Sequence, residues 1–236
     1  MLSRRVQREL GGGVSQFAEI LRLAKQPGVV DLGQGFPDFS GDSTARKEAA
    51  RDIASTPAFN QYSAPTGNPG LKAAVANWVD RVYRQGPRLD PNTNVLITAS
   101  GTEAIFSAMQ ALVDEGDKVL VFEPYWPWYL PCIRLAGGVP VTVRLEPPSF
   151  SMERTAVTKA FEKHRPKVVV VNTPHNPTGK VATADDLAFI SDLCLKHDTI
   201  AISDEVYENV TFKNRPHFRL CDLPDMFEVG SQPYDK

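Results

Sequence analysis

Two stretches constrain the fold of this chain more than any others: Val168-Val-Val-Val-Asn172 and Ile200-Ala-Ile-Ser-Asp204. Each is a short, nearly unbroken apolar run that ends in a polar residue. A run without inside/outside alternation suits a strand covered on both faces, as the strands of parallel sheets are. In open α/β sheets, ligands bind beyond the carboxyl ends of such strands. The first run continues into Thr173-Pro-His-Asn176-Pro-Thr-Gly179-Lys180 and the second into Glu205-Val-Tyr207. A carboxylate (Asp204), a phenol (Tyr207) and a carboxamide (Asn176) therefore fall at adjacent strand ends. Beside the helix start Ser100-Gly101-Thr102-Glu103, this set suits a phosphorylated aromatic cofactor.

From residue 94 onward the chain alternates between short apolar runs and helical periodicity. Strands are expected at Val95–Thr98, Val119–Phe122, Val139–Val143, Val168–Asn172 and Ile200–Asp204, with helices near 101–115, 126–136, 152–164 and 183–197. Alternation of this kind predicts a doubly wound α/β domain with a mainly parallel sheet. Upstream, Phe17, Ile20, Leu21 and Ala24 recur at helical spacing before Pro27-Gly28. Asn68 followed by Pro69 marks a helix start, and Leu71, Val75, Trp78, Val79 and Val82 are its expected buried face.

Composition excludes several classes. A formal net charge of −2 leaves no basic footprint for nucleic acid. No apolar run approaches the roughly 20 residues of a membrane helix. Three widely spaced cysteines without a Cys-x-x-Cys fit reduced thiols better than a disulfide framework or a metal site. The weakly basic start, Met1 to Arg8, soon meets Glu9, so the cytoplasm is the expected location, with a mitochondrial address as the alternative.

Each chemical motif also has a plainer reading. Ser100 and Glu103 have the spacing of a capping box, which needs no ligand. Asp204 could cap the next turn, Tyr207 and Trp126 could be core aromatics, and Asn176-Pro177 is a routine turn initiator. What favours a site is that the ends of successive strands carry all of these elements.

Taken together, the chain resembles the pyridoxal-phosphate-dependent class I/II aminotransferases of fold type I, in the branch of kynurenine, glutamine and methionine aminotransferases. The matching segments are Asp31-Leu-Gly-Gln-Gly-Phe-Pro-Asp38, Asn60-Gln-Tyr62, Ala111-Leu-Val-Asp-Glu-Gly-Asp117, Asn172 to Lys180, and Asp204-Glu-Val-Tyr207. The resemblance implies an amino-group transfer between an amino acid and a 2-oxo acid. It assigns Asp204 to the pyridine nitrogen, Tyr207 and Asn176 to the ring's phenolic oxygen, Trp126 to the ring face, and Gly101 and Thr102 to the phosphate. It places Gly35, with Asn176, near the substrate, and it sends Tyr62 to the phosphate of the other subunit of a homodimer. It also implies an N-terminal arm and the first part of a small domain over 1–39, an incomplete large cofactor-binding domain over 40–228, and a divergent tail over 229–236.

The family pattern is not followed to the end. Its covalent lysine follows Ser by three residues, whereas Lys236 stands five after Ser231, with Pro233 between them. The expectation is therefore a chain truncated before that lysine, with no catalytic residue of its own and no neighbours for the Val95 strand. Two alternatives stay open: a non-catalytic chain that pairs with a full-length subunit, and cysteine-conjugate β-elimination on the same scaffold. A nucleotide-dependent dehydrogenase is disfavoured, because no Gly-x-Gly-x-x-Gly follows a strand.

Overall fold

The computed structural model describes residues 16–33, 35, 37–83 and 88–227, together with Ser3, Val6 and Gln7. The tail 229–236, with Ser231 and Lys236, lies outside the described residues, as does the Gly11–Gly13 run. The chain divides into two compact units, Met1–Pro65 and Thr66–Lys236.

The first unit holds helices α1 (Gln16–Ala24) and α2 (Ser43–Ser55) and a 3-10 turn, Pro57–Asn60. Asp42 starts α2 by accepting the Ala45 N–H at 2.8 Å, which satisfies one donor of the open first turn. Among the described residues of this unit no side chain is fully buried, and Ile20 and Leu21 of the expected apolar stripe are exposed.

In the second unit, α3 (Pro69–Val82) begins at Asn68, whose side chain accepts the N–H groups of Gly70 and Leu71 at 2.8 and 3.2 Å. Its buried line is Lys72, Ala76 and Val79, at i, i+4 and i+7. Leu71 and Val82, expected on that face, are exposed. The Lys72 ammonium holds the neighbouring turn instead, donating to Thr66 Oγ1 at 3.2 Å and to the Asn92 carbonyl at 3.4 Å.

Four strands follow: β1 (Lys118–Glu123), β2 (Val139–Arg144), β3 (Val168–Asn172) and β4 (Ile200–Asp204). All pair in parallel in the order β2-β1-β3-β4. They alternate with α4 (Gly101–Leu112), α5 (Tyr129–Ala136), α6 (Arg154–His164) and α7 (Ala184–His197). Successive side chains of a strand point to opposite faces, and β1 shows the result. Leu120 and Phe122 join Val157 and Phe161 of α6 and Leu187 and Ile190 of α7, whereas Val119 and Val121 join Ile105 and Met109 of α4 and Ile133 of α5. Helices on both faces explain why β1 and β3 read as unbroken apolar runs. Parallel register also sets Asn172 opposite Asp204 at the carboxyl end of the sheet.

The stretch Val95–Thr98 is not a strand. Among the described residues no strand pairs with it, and its Ile97 N–H donates instead to the Thr66 carbonyl at 3.1 Å. Apolar residues alone do not make a strand without a ladder to satisfy the backbone. That contact depends on Gly67, which has φ +106°, and a Cβ there would lie 2.5 Å from the Ile97 Cβ. Gly67→Ala is therefore expected to destabilise the chain by about 1–3 kcal/mol, read as a lower midpoint in urea. An unchanged midpoint would show that this loop can yield without cost.

Candidate active site

The carboxyl ends of β3 and β4, the start of α4 and the turn after β1 enclose a pocket of about 500 Å³. Gly101, Thr102, Trp126, Asn176, Asp204 and Tyr207 all line it. Six of the eight residues singled out in the sequence thus meet in one place. The other two, Gly35 and Tyr62, belong to the first unit and are exposed, Tyr62 fully so at 102%.

The start of α4 gives the pocket lining its backbone donors. Ser100 Oγ accepts the Glu103 N–H at 3.2 Å, and the Glu103 carboxylate accepts the Ala99 N–H at 2.5 Å. The cap thus uses the N–H groups on either side of Gly101 and Thr102 and not theirs. Amides at a helix start, aligned with the positive end of its dipole, favour an anion. A Cβ built on Gly101 would meet no atom within 4 Å, so the space beside this backbone is open.

Another part of the lining is acidic. Asp204 closes β4, its Oδ2 accepting the Tyr129 O–H at 2.6 Å and its Oδ1 the Val206 N–H at 3.3 Å. Tyr129 is only 2% exposed, and burial first, then the adjacent Asp204 charge, hold its phenol above the ordinary range. Its ring meets Trp126 edge-on, with centroids 5.4 Å apart and planes at 74°.

Asn172 ties the two strand ends together. Its Nδ2 donates to the Asp204 carbonyl at 2.9 Å, while its Oδ1 accepts the Asn176 N–H at 2.7 Å. The loop beyond is closed by Gly179 N–H to the His175 carbonyl and His175 N–H to the Lys180 carbonyl, both 2.8 Å. Lys180 is partly buried and pairs with Asp186 at 3.2 Å. Burial first, then the Lys180 charge, hold the His175 imidazole below its usual value and so favour its neutral form.

Behind the Asp204–Tyr207 turn lies a second polar layer. Glu205 accepts the Ser203 hydroxyl at 2.7 Å and sits 3.1 Å from His217 Nε2 and 3.4 Å from Arg219 Nε. Tyr83 donates to Glu208, and the Arg219 guanidinium lies 4.3 Å over the Tyr83 ring. Glu205, Glu208 and His217 lie close enough together to suggest a cation site. Glu205 is already engaged by Ser203, His217 and Arg219, and Glu208 by Tyr83, which accounts for the cluster as an internal brace of the turn.

Reading the sequence missed Tyr129 and Asn172. The signal for Asn172 was its position at the end of β3, in register with Asp204. Tyr129 stands three residues after Trp126, a spacing that places both at a strand-to-helix junction.

A parallel α/β sheet with a helix start and a carboxylate lining one pocket at its carboxyl end is an arrangement that suits a phosphorylated ligand. The chain belongs to the Aminotransferase class I and II family, which it matches over residues 27–231. This family is pyridoxal-phosphate-dependent. Kynurenine--oxoglutarate transaminase 3 of Mus musculus is 38% identical over 221 residues, which cover 90% of this chain and 48% of that protein. Methionine aminotransferase of Escherichia coli (strain K12) is 35% identical over 216 residues, 92% of this chain and 55% of that one. N-Succinyldiaminopimelate aminotransferase from Mycobacterium tuberculosis superposes with a TM-score of 0.87 at 35% identity, over 96% of this chain and 57% of that one. The chain therefore spans about half the length of the relatives it matches. Among the described residues, no helix is long and apolar enough to cross a membrane.

Proposed function

We propose that this chain is the pyridoxal-phosphate-binding portion of an enzyme that moves an amino group between an amino acid and a 2-oxo acid. The observation that supports it most is the convergence of Gly101, Thr102, Trp126, Asn176, Asp204 and Tyr207 on one pocket. The donor set fits the cofactor: amides for a phosphate, a carboxylate for a basic ring nitrogen, and an indole for the ring face.

Bound pyridoxal phosphate supplies an electron sink for the substrate carbon that loses its proton. In this reading the Gly101 and Thr102 N–H groups hold the phosphate, and Trp126 covers one ring face. Asp204 keeps a proton on the ring nitrogen by charge, since an opposite charge nearby favours the protonated form of a base. Tyr207 and Asn176 hydrogen-bond the phenolic oxygen and fix the tilt of the ring. The family resemblance assigns Gly35 to the substrate carboxylate and Tyr62 to the phosphate of a second subunit, which would make the assembly a homodimer with shared sites. The domain limits that go with this reading are an arm and part of a small domain over 1–39 and a large domain over 40–228. The free cysteines Cys132, Cys194 and Cys221 suit the reducing cytoplasm.

Titrating the chain with pyridoxal phosphate and following tryptophan quenching tests the reading. Saturable binding is expected, weakened about ten- to a hundredfold by Asp204→Ala, the range of one hydrogen bond to a charged group. Equal affinity in both proteins would remove Asp204 from the site.

A further inference from the structure

We propose that Tyr129 is a positioning residue for the cofactor ring, aiming the Asp204 carboxylate at the ring nitrogen while bracing Trp126 against the ring face. This rests on the cofactor reading given above and adds a residue that it does not contain.

Tyr129 opens α5 and is packed among Ile105, Met109, Ile133 and Val170 of one apolar layer. A phenol in such surroundings needs a partner for its O–H. The partner is not a nearby carbonyl but the carboxylate of Asp204, 75 residues further along the chain. Burial and the carboxylate's own charge keep the proton on Tyr129, so it acts as a donor throughout.

A carboxylate offers about four acceptor directions. Tyr129 takes one on Oδ2, and the Val206 N–H takes one on Oδ1 at the longer distance of 3.3 Å. The remaining directions are left for a ligand. Rotation about the last bond of an Asp side chain is intrinsically loose. Without the 2.6 Å bond the carboxylate would be restrained mainly by the weaker contact to Val206. The same phenol ring stands edge-on to Trp126. One side chain thus sets both the direction of the charge and the wall on which the ring lies. Phenylalanine would preserve the edge-on packing and remove only the aim.

The test is a cycle of two proteins and two ligands, using the 236-residue chain and Tyr129→Phe. The ligands are pyridoxal phosphate and the carbocyclic analogue in which C–H replaces the ring nitrogen. The unsubstituted chain is expected to prefer pyridoxal phosphate about ten- to a hundredfold. Tyr129→Phe is expected to bring that preference below about threefold while leaving affinity for the analogue nearly unchanged, the pattern of a coupling specific to the nitrogen. The analogue also serves as the folding control. Equal weakening of both ligands would reduce Tyr129 to a packing residue and overturn the proposal, as would a preference that survives in Tyr129→Phe. Failure of the underlying reading looks different: the unsubstituted chain would itself show no preference, or bind neither ligand, and the proposal would fall with it.

Discussion

Incubated with pyridoxal phosphate, an amino acid and a 2-oxo acid, the 236-residue chain is expected to turn over at least about 10²–10⁴-fold more slowly than a family member with its covalent lysine in place, the usual worth of a positioned general acid–base. Among the described residues that line the pocket, none is a lysine. The two lysines best held in this unit are engaged elsewhere: Lys180 pairs with Asp186 at 3.2 Å, and Lys72 donates to Thr66 and Asn92. Without an amine beside the substrate carbon, nothing in the described pocket moves the proton that amino transfer must relocate. The measurement is an assay across several amino acid and 2-oxo acid pairs, with Lys180→Ala and Lys236→Ala in parallel. Brisk turnover that vanishes in either variant would identify that lysine as the missing amine and refute the expectation.

The largest effect on stability is expected at Phe161. This side chain is 0% exposed and lies on α6 between the sheet residues Leu120 and Val169 and the α7 residues Leu187 and Ile190, in one apolar cluster. Its ring also packs at 5.7 Å against His197. Phe161→Ala removes the ring from a layer that cannot collapse around it, because the sheet fixes one side and α7 the other. The expected loss is about 3–5 kcal/mol, read from urea unfolding followed by far-ultraviolet circular dichroism. Phe212, 88% exposed, supplies the contrast, since its change to alanine should stay within about 0.5 kcal/mol. Similar losses for both variants would mean that the helix layer over Phe161 does not carry the stability assigned to it.

Four of the five expected strands form, because apolar runs bounded by helices leave little else for such residues to do. The fifth, Val95–Thr98, has the same composition but no neighbour, and pairing is a property of two segments that one segment cannot reveal. The face of α3 was misread for a related reason. Leu71 looks more buriable than Lys72, yet Thr66 and the Asn92 carbonyl offer the ammonium partners that only the fold brings near. In the pocket, Asp204, Asn176, Gly101 and Trp126 were legible because chemistry at strand ends has a recognisable residue alphabet. Tyr129 and Asn172 were not, since their importance lies in hydrogen bonds to Asp204 and Asn176 that no local pattern encodes. Glu205, His217 and Arg219 were hidden in the same way: their interlock spans residues 83 to 219, and each alone is an ordinary polar residue.

The pocket draws its four walls from four places along the chain, 101–108, 126, 172–176 and 202–207. Recognition here is consequently a readout of completed folding. A molecule that engages all four walls has nothing to hold in a chain whose last strand has not docked, so its binding energy goes entirely to the finished form. At a hundred times its dissociation constant, such a molecule adds about 2.7 kcal/mol to the folded side. On the proposed reading, protection from proteolysis by pyridoxal phosphate is expected to sort correctly assembled copies from collapsed ones without any assay of catalysis. A screen for substitutions that improve this chain could use that protection as its selection.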